Sequence, residues 1–145
     1  MTRRRLAIVV GGVALIAALT YLHDPPWIGN VTSGMREWEY SDPEMVFRWT
    51  AGRASLFVPS DAKAVMIPLR SGIPGPLSGE VTVEVRVDDR FLATIRLIDP
   101  KEWVRQELPL GNRATHRRFR RIDLHVSRAV GQGNRGVMTG PPTIW

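Results

Sequence analysis

The chain has 145 residues, a formal net charge of +6 and no cysteine, which excludes a disulfide framework and a lipid-modified cysteine anchor. Three of its twenty basic residues, Arg3 to Arg5, precede the first apolar segment, so seventeen remain against fourteen acidic residues and the rest is only mildly basic. After that segment about 120 residues follow, enough for one domain with its own core and too few for two.

An apolar segment at residues 6–22 contains seventeen uncharged residues directly behind the three arginines. As a helix it covers roughly 25 Å, near the short limit for crossing a bilayer. Because arginines favour the cytoplasmic side, we predict an anchor in a bacterial inner membrane, with residues 1–5 cytoplasmic and the remainder periplasmic. A cleaved signal peptide is the alternative, since small residues near Ala18 and Thr20 also fit a cleavage site. The predicted lipid-contacting residues are Leu6, Ile8, Val9, Val13, Leu15, Ile16, Leu19 and Leu22.

Residues 23–43 are rich in proline, glycine and aromatic residues, which predicts a linker that contains neither strand nor helix. Pro25 and Pro26 end the membrane helix, since proline cannot continue its hydrogen-bond ladder. The aromatic side chains of this linker are expected to lie on the domain or among lipid headgroups, or alternatively to dock on a partner protein. The apolar end of the chain also needs cover from the domain or a neighbour. The candidate docking residues are Trp27, Trp38, Tyr40, Ile144 and Trp145.

From residue 44 onward, short runs of alternating polarity are closed by proline, glycine or aspartate. The clearest pair is a hairpin of 80–87 and 91–98, with four inward valines and Asp88-Asp89 as its two-residue turn. No helical period follows residue 22. We therefore predict one extracytoplasmic domain over 44–145, an all-β antiparallel sandwich or jelly roll, preceded by one transmembrane helix. The other predicted strands are 45–50, 53–58, 64–70, 103–110, 121–127 and one near 136–138.

No pattern of catalytic or metal-binding residues is present. His23, His116 and His125 lie in three different contexts, and none has a second ligand at metal spacing. Asp88 and Asp89 are explained as turn residues. No nucleophile elbow or phosphate-binding loop occurs. The sequence therefore predicts a protein that is not an enzyme and holds neither metal nor cofactor.

Arginines are concentrated between residues 113 and 121. Guanidinium groups pair bidentately with phosphate and carboxylate, so this cluster predicts a site for an anionic lipid or an acidic partner. Nucleic acid is not expected outside the cytoplasm. The alternative is a solvated loop and strand edge, on which arginines prevent edge-to-edge pairing. The members of this candidate patch are Arg113, Arg117, Arg118, Arg120 and Arg121.

Several segments between residues 47 and 138 carry a family resemblance. They are Trp49-Thr50-Ala51-Gly52-Arg53-Ala54, the hairpin VTVEVRVDDRFLATIRL, the Trp103 strand ending in LPL, and RRIDLHVSR followed by Arg135-Gly136-Val137-Met138. Together they resemble the jelly-roll domain appended to some bacterial membrane glycosyltransferases and found in uncharacterised envelope proteins. The resemblance implies a galactose-binding-like sandwich that serves as an accessory, non-catalytic module. It implies no transferase activity here, because the multi-spanning catalytic part is not in the sequence.

Two functional hypotheses follow. In the first, the protein is a non-catalytic, single-pass accessory subunit that docks on a larger respiratory, photosynthetic or envelope-polysaccharide complex in the membrane. The aromatic linker, the apolar chain end and the lack of catalytic groups favour it. In the second, the sandwich binds carbohydrate or another envelope polymer, with Trp49 and Trp103 as candidate sugar-binding residues, although each also fits the core. The expected partners are the bilayer and other subunits, or else a carbohydrate or anionic lipid.

Overall fold

The computed structural model describes residues 3–42, 45–72, 80–111, 116–129 and 135–145. The chain begins with helix α1 (Arg3–His23) and a short 3-10 helix (Pro26–Asn30), and strands follow. The strands are β1 (Thr32–Met35), β2 (Glu39–Asp42), β3 (Met45–Pro59), β4 (Ala64–Met66), β5 (Leu69–Arg70), β6 (Val81–Val87), β7 (Arg90–Leu97), β8 (Glu107–Pro109), β9 (Phe119–Val126), β10 (Met138–Thr139) and β11 (Thr143–Ile144).

The strands form a large curled sheet and a small one, and each named pairing is antiparallel. The large sheet has the order β5-β10-β3-β9-β6-β7, with β1 and β2 also paired to β3, and the small sheet has the order β11-β4-β8. Strand β3 is fifteen residues long and changes partners along its length, from Trp49 opposite Met138 in β10 to Arg53 opposite His125 in β9. The predicted fold class, an antiparallel β-sandwich after one apolar N-terminal helix, is confirmed.

The β6–β7 hairpin contributes buried side chains to the core, although β7 lies at the edge of the large sheet. Its four valines at 81, 83, 85 and 87 are buried, and the residues between them are half-buried. Asp88 and Asp89 have φ angles of 50° and 66°, the left-handed geometry of a two-residue hairpin turn. Aspartate accepts this geometry more readily than most residues, because its short side chain bonds locally. Val85 faces Ala93 and Arg86 faces Phe91, so Leu92 is an extra residue that makes a bulge.

Several predicted strand boundaries differ from the observed ones. The predicted strands 45–50 and 53–58 are one continuous strand, since β10 and β9 pair with its two parts in turn. The predicted strand 64–70 is divided into β4 and β5 at Ile67-Pro68, where proline has no N–H for the ladder. Most of 103–110 lies outside a strand, apart from β8 and a single bridge between Val104 and Leu69.

The prediction that residues 23–43 contain neither strand nor helix is wrong. This stretch holds the 3-10 helix, β1 and β2, and both strands pair with β3. All of β1 except its last residue is exposed, so it carries no alternation of polarity from which a strand could be predicted. The register of its pairing with β3 shifts at Gly34, whose φ of +64° is one that glycine adopts without strain.

Candidate functional site

Helix α1 presents its apolar side chains to the surroundings of the protein. All eight predicted lipid-contacting residues are exposed. The segment Leu6–Asn30 has a mean hydropathy of 2.1 in its most apolar window, and by length and composition it is able to cross a membrane. A signal sequence near the N-terminus meets the same criteria. The structure therefore shows one helix that suits either a membrane anchor or a signal sequence.

The residues that follow α1 are fixed to the start of β9. The Asp24 carboxylate accepts a hydrogen bond from the backbone N–H of Arg118 at 2.9 Å, and it lies 3.7 Å from Nε of the same arginine. Pro25 is buried. Gly29 packs against the ring of Phe119 so closely that a Cβ there would lie 2.7 Å from Cζ. The connection between helix and domain is therefore a packed junction.

Turns from three other parts of the chain meet this junction. The Arg118 carbonyl accepts the N–H of Ser60 at 2.8 Å, which brings the turn after β3 to the start of β9. The Trp145 carbonyl accepts the N–H of Lys63 at 2.6 Å, and the Lys63 carbonyl accepts that of Leu110 at 2.8 Å. We call this region the helix-proximal end, and it comprises residues 24–30, 59–63, 88–89, 110–111, 116–121 and 145.

A buried arginine connects three of these segments. The Arg120 residue is only 5% exposed. Its Nε donates to Oδ2 of Asp88 at 3.1 Å, and its Nη1 donates to the carbonyls of Leu110 at 2.7 Å and Gly111 at 3.2 Å. The other oxygen of Asp88 accepts the backbone N–H of Arg121 at 3.1 Å. Removing one partner of such a buried pair is destabilising, because the charge that remains loses its counter-ion.

A second arginine on the same strand is paired on the outer face of the sheet. The Nε of Arg121 donates to Oδ2 of Asp123 at 2.9 Å, and its Nη2 forms an ion pair with Asp89. The other oxygen of Asp123 accepts the hydroxyl of Ser55 at 2.8 Å. The hydrogen bond to Asp123 is the main reason why the pKa of Arg121 is raised, although burial acts in the opposite direction. Its charge is therefore largely matched within the domain.

The predicted arginine patch is thus divided between different environments. Arg120 is buried, whereas Arg118 and Arg121 pair with carboxylates. Arg117 is exposed, and Arg113 lies outside the described residues. The acidic partners lie far away in the sequence, so only the folded chain shows that most of this charge is paired internally. A site for an anionic partner here stays a prediction.

We expect Asp24→Ala to loosen the junction, at a cost of about 1.5 kcal/mol, the lower end of the range for a hydrogen bond to a charged group. Faster amide exchange at Arg118, measured by mass spectrometry on the full chain in mild detergent, would report this loss. Asp61→Ala is the matched control, because Asp61 is an exposed carboxylate at the same end of the domain. Equal exchange at Arg118 in the two variants would contradict the structural role of Asp24.

Two tryptophans predicted to bind sugar lie in one row with arginines. Arg70, Met138 and Trp49 face one another across β5, β10 and β3, so their side chains share a face. The Cζ of Arg70 is 4.9 Å from the ring centroid of Trp103, and the Cζ of Arg135 is 5.4 Å from that of Trp49. These distances are typical of cation–π contacts. Trp49 is 8% exposed and fits the core, whereas Trp103 is half-buried.

The predicted docking residues fall into two groups. Trp27 and Trp145 belong to the helix-proximal end. Trp38 and Tyr40 lie beside the opposite end of β3, because Tyr40 pairs with Val46 whereas Pro59 is the last residue of the strand. The guanidinium of Arg48 lies 4.4 Å from the ring centroid of Trp38, and burial lowers the pKa of this arginine. The fifth docking residue, Ile144, is exposed in β11.

Within the part of the chain that the structure describes, no group of three or more His, Asp or Glu residues is placed to hold a metal ion. No known protein family matches the sequence, and no curated protein matches it either. Among solved structures, the chain is similar to a family 35 carbohydrate binding module from an environmental isolate, with 17% identity and a TM-score of 0.44. That alignment covers 77% of this chain and 91% of the other.

Proposed function

We propose that the protein is a non-catalytic, single-span accessory subunit. Its helix α1 stays in the membrane, and its extracytoplasmic sandwich docks on a larger membrane protein complex. The packed junction between helix and domain is the observation that carries this proposal. A flexible tether lets a domain sample many positions, whereas the contacts of Asp24, Gly29 and β1 hold this one in place beside the helix. A subunit that presents one surface at a set height above the bilayer needs such a junction.

The proposed docking surface lies at the end of the domain that is remote from α1. Trp38 and Tyr40 are exposed there, and Tyr40 is 80% exposed. Among the described strands β2 pairs only with β3, so its other edge is open to a partner. Tryptophan, tyrosine and arginine are the residues that contribute most to binding at protein interfaces, and Arg48 stands beside Trp38. We therefore place the partner against β2 and these two rings.

Purification of the full chain from its native membrane in mild detergent, with intact mass spectrometry, tests this function. We expect a mass that includes residues 1–22, together with partner proteins at a fixed ratio. Tyr40→Ser and Trp38→Ser should each weaken the association by roughly thirtyfold, the effect of losing a central interface residue.

Phe91→Ser is the matched control, because Phe91 is also an exposed ring but lies in β7 at the opposite edge of the large sheet. It should leave the association unchanged. A chain that starts near Tyr21, or one that carries no partner, would contradict the accessory role. A lone chain that binds an envelope polysaccharide, and loses this binding in Trp103→Ala, would favour the alternative of a carbohydrate-binding module, since Trp103 is only half-buried beside Arg70.

A further inference from the structure

We infer that the helix-proximal end of the domain rests on the bilayer surface and that Trp27 and Trp145 lie in the headgroup region. The inference rests on the proposed retention of α1 in the membrane, and it adds the lipid surface itself as a binding partner of the folded domain. Neither ring contributes to the protein-docking surface at the far end of β3.

The position of the junction places this end of the domain next to the bilayer. Asp24 directly follows the last residue of α1 and holds the backbone of Arg118 at 2.9 Å. The domain surface around Arg118 is therefore held within a few bond lengths of the point where the helix ends. A domain attached at this point has its helix-proximal end against the headgroups.

Trp145 reaches the same end although it lies at the opposite end of the sequence from Trp27. Strand β11 runs antiparallel to β4, with Ile144 opposite Val65, so the chain returns along β4 toward Lys63. There the backbone of Trp145 exchanges hydrogen bonds with that of Ala64, at 3.1 and 3.4 Å, and also accepts one from Lys63. This pairing fixes the residue at the helix-proximal end.

The side chains of both tryptophans are exposed and can contact lipid. Trp27 is 53% exposed and Trp145 is 52% exposed. An indole ring has an apolar body and one N–H donor, and for that reason tryptophan concentrates at the boundary between hydrocarbon and water. Two half-exposed indoles on the surface that surrounds the end of a membrane helix match this preference.

The small net charge of this surface indicates that the two indole rings, and not ion pairs with anionic lipid, bind it to the bilayer. Among the described residues of the helix-proximal end there are five cationic side chains and four carboxylates, so the net charge of this end is close to zero. Attraction to anionic lipid is therefore weak, and the domain should rest on zwitterionic and anionic bilayers alike. The cations are Lys63, Arg117, Arg118, Arg120 and Arg121, and the carboxylates are Asp24, Asp61, Asp88 and Asp89.

Quenching by brominated phosphatidylcholine in vesicles that carry the full chain tests this placement. If the five tryptophans emit equally and only Trp27 and Trp145 reach the headgroups, about two fifths of the emission is quenched. Trp27→Phe or Trp145→Phe should lower this share to about one quarter, and Trp38→Phe should raise it to about one half, because it removes an unquenched ring. Replacing a third of the lipid with phosphatidylglycerol should leave these shares unchanged.

Trp145 decides the outcome, because Trp27 is close to α1 in sequence. A share that rises or stays the same in Trp145→Phe would overturn the inference, because removing an unquenched ring raises the quenched share, and so would a lower share in Trp38→Phe. Release of the chain by alkaline carbonate would instead show that α1 is not inserted, so a failure of the proposed anchor is distinguished from a failure of the bilayer contact.

A labelled variant makes the test independent of any effect of the tryptophan changes on folding. The chain has no cysteine, so Asp61→Cys and Thr94→Cys each provide a single labelling site. Asp61 is exposed at the helix-proximal end, whereas Thr94 is exposed midway along β7. A fluorophore at 61 should be quenched by brominated lipid and one at 94 should not. Equal quenching at the two sites would overturn the inference.

Discussion

Replacing Arg120 with methionine should lower the free energy of unfolding by about 3 kcal/mol, the lower end of the range for breaking a buried ion pair. The lower end applies because Asp88 keeps some contact with water, its side chain being 28% exposed. Methionine fills a similar volume but removes the Arg120 donors from Oδ2 of Asp88 and from the carbonyls of Leu110 and Gly111. Urea unfolding of the full chain in mild detergent, followed by tryptophan fluorescence, measures the loss.

Arg53→Met is the control for this prediction, because Arg53 is exposed in β3, and it should change stability by less than about 0.5 kcal/mol. Asp88→Asn removes the same charge pair while keeping a residue that tolerates the left-handed turn. The double variant with Arg120→Met should therefore lose less than the sum of the two single losses. Strict additivity, or an Arg120→Met protein as stable as the unaltered chain, would contradict a buried pair.

Gly34→Ala should also cost about 3 kcal/mol, because it adds left-handed strain to a steric overlap with backbone. The φ of Gly34 is +64°, and an added Cβ would overlap the carbonyl oxygen of Arg53. That carbonyl cannot easily retreat, since Arg53 is paired with His125 in β9. The pairing of β1 with β3 should therefore be weakened, which faster amide exchange at Arg36 would report, because its N–H bonds the carbonyl of Trp49 at 2.8 Å.

Gly111→Ala separates the effect of left-handed strain from that of steric overlap with the backbone. Gly111 has the same φ of +64°, but an added Cβ there meets no atom within 4 Å. This variant should therefore lose only about 1 to 2 kcal/mol of stability, from left-handed strain alone, and amide exchange at Arg36 should be unchanged. If both glycine variants lost the same stability, the close approach of β1 to β3 at Gly34 would be refuted.

Strands with one face on the core and the other toward solvent were the most predictable part of this fold. The valines of β6 alternate with polar residues because one side of the strand faces the core and the other does not, and this pattern is visible without any partner. The Asp88-Asp89 turn was predictable for a similar local reason, since few residue types adopt its backbone angles. The single bridge at Val104 was not, because it depends on Leu69, which lies 35 positions away.

The candidate site was much less predictable than the fold. Arginines 118, 120 and 121 appeared in the sequence as one basic cluster, and their carboxylate partners at 24, 88 and 123 were not recognisable as such. Ion pairs depend on distance in space, and nothing in a sequence pattern reports a partner 32 or 94 residues away. The five docking residues likewise appeared as one group, although the segments that contain Trp27 and Trp38 lie near opposite ends of β3.

By itself, the sequence determined the apolar helix, the all-β class and the β6–β7 hairpin, because each depends on local composition or on a period of two. Only the tertiary structure decided that residues 32–35 and 39–42 belong to the sheet, that the arginines are mostly paired, and that Trp27 and Trp145 share one end. The physical reason is the same in each case. Exposed edge strands, ion pairs and the ends of strands are specified by what lies across from them, and that neighbour is set by the folded chain.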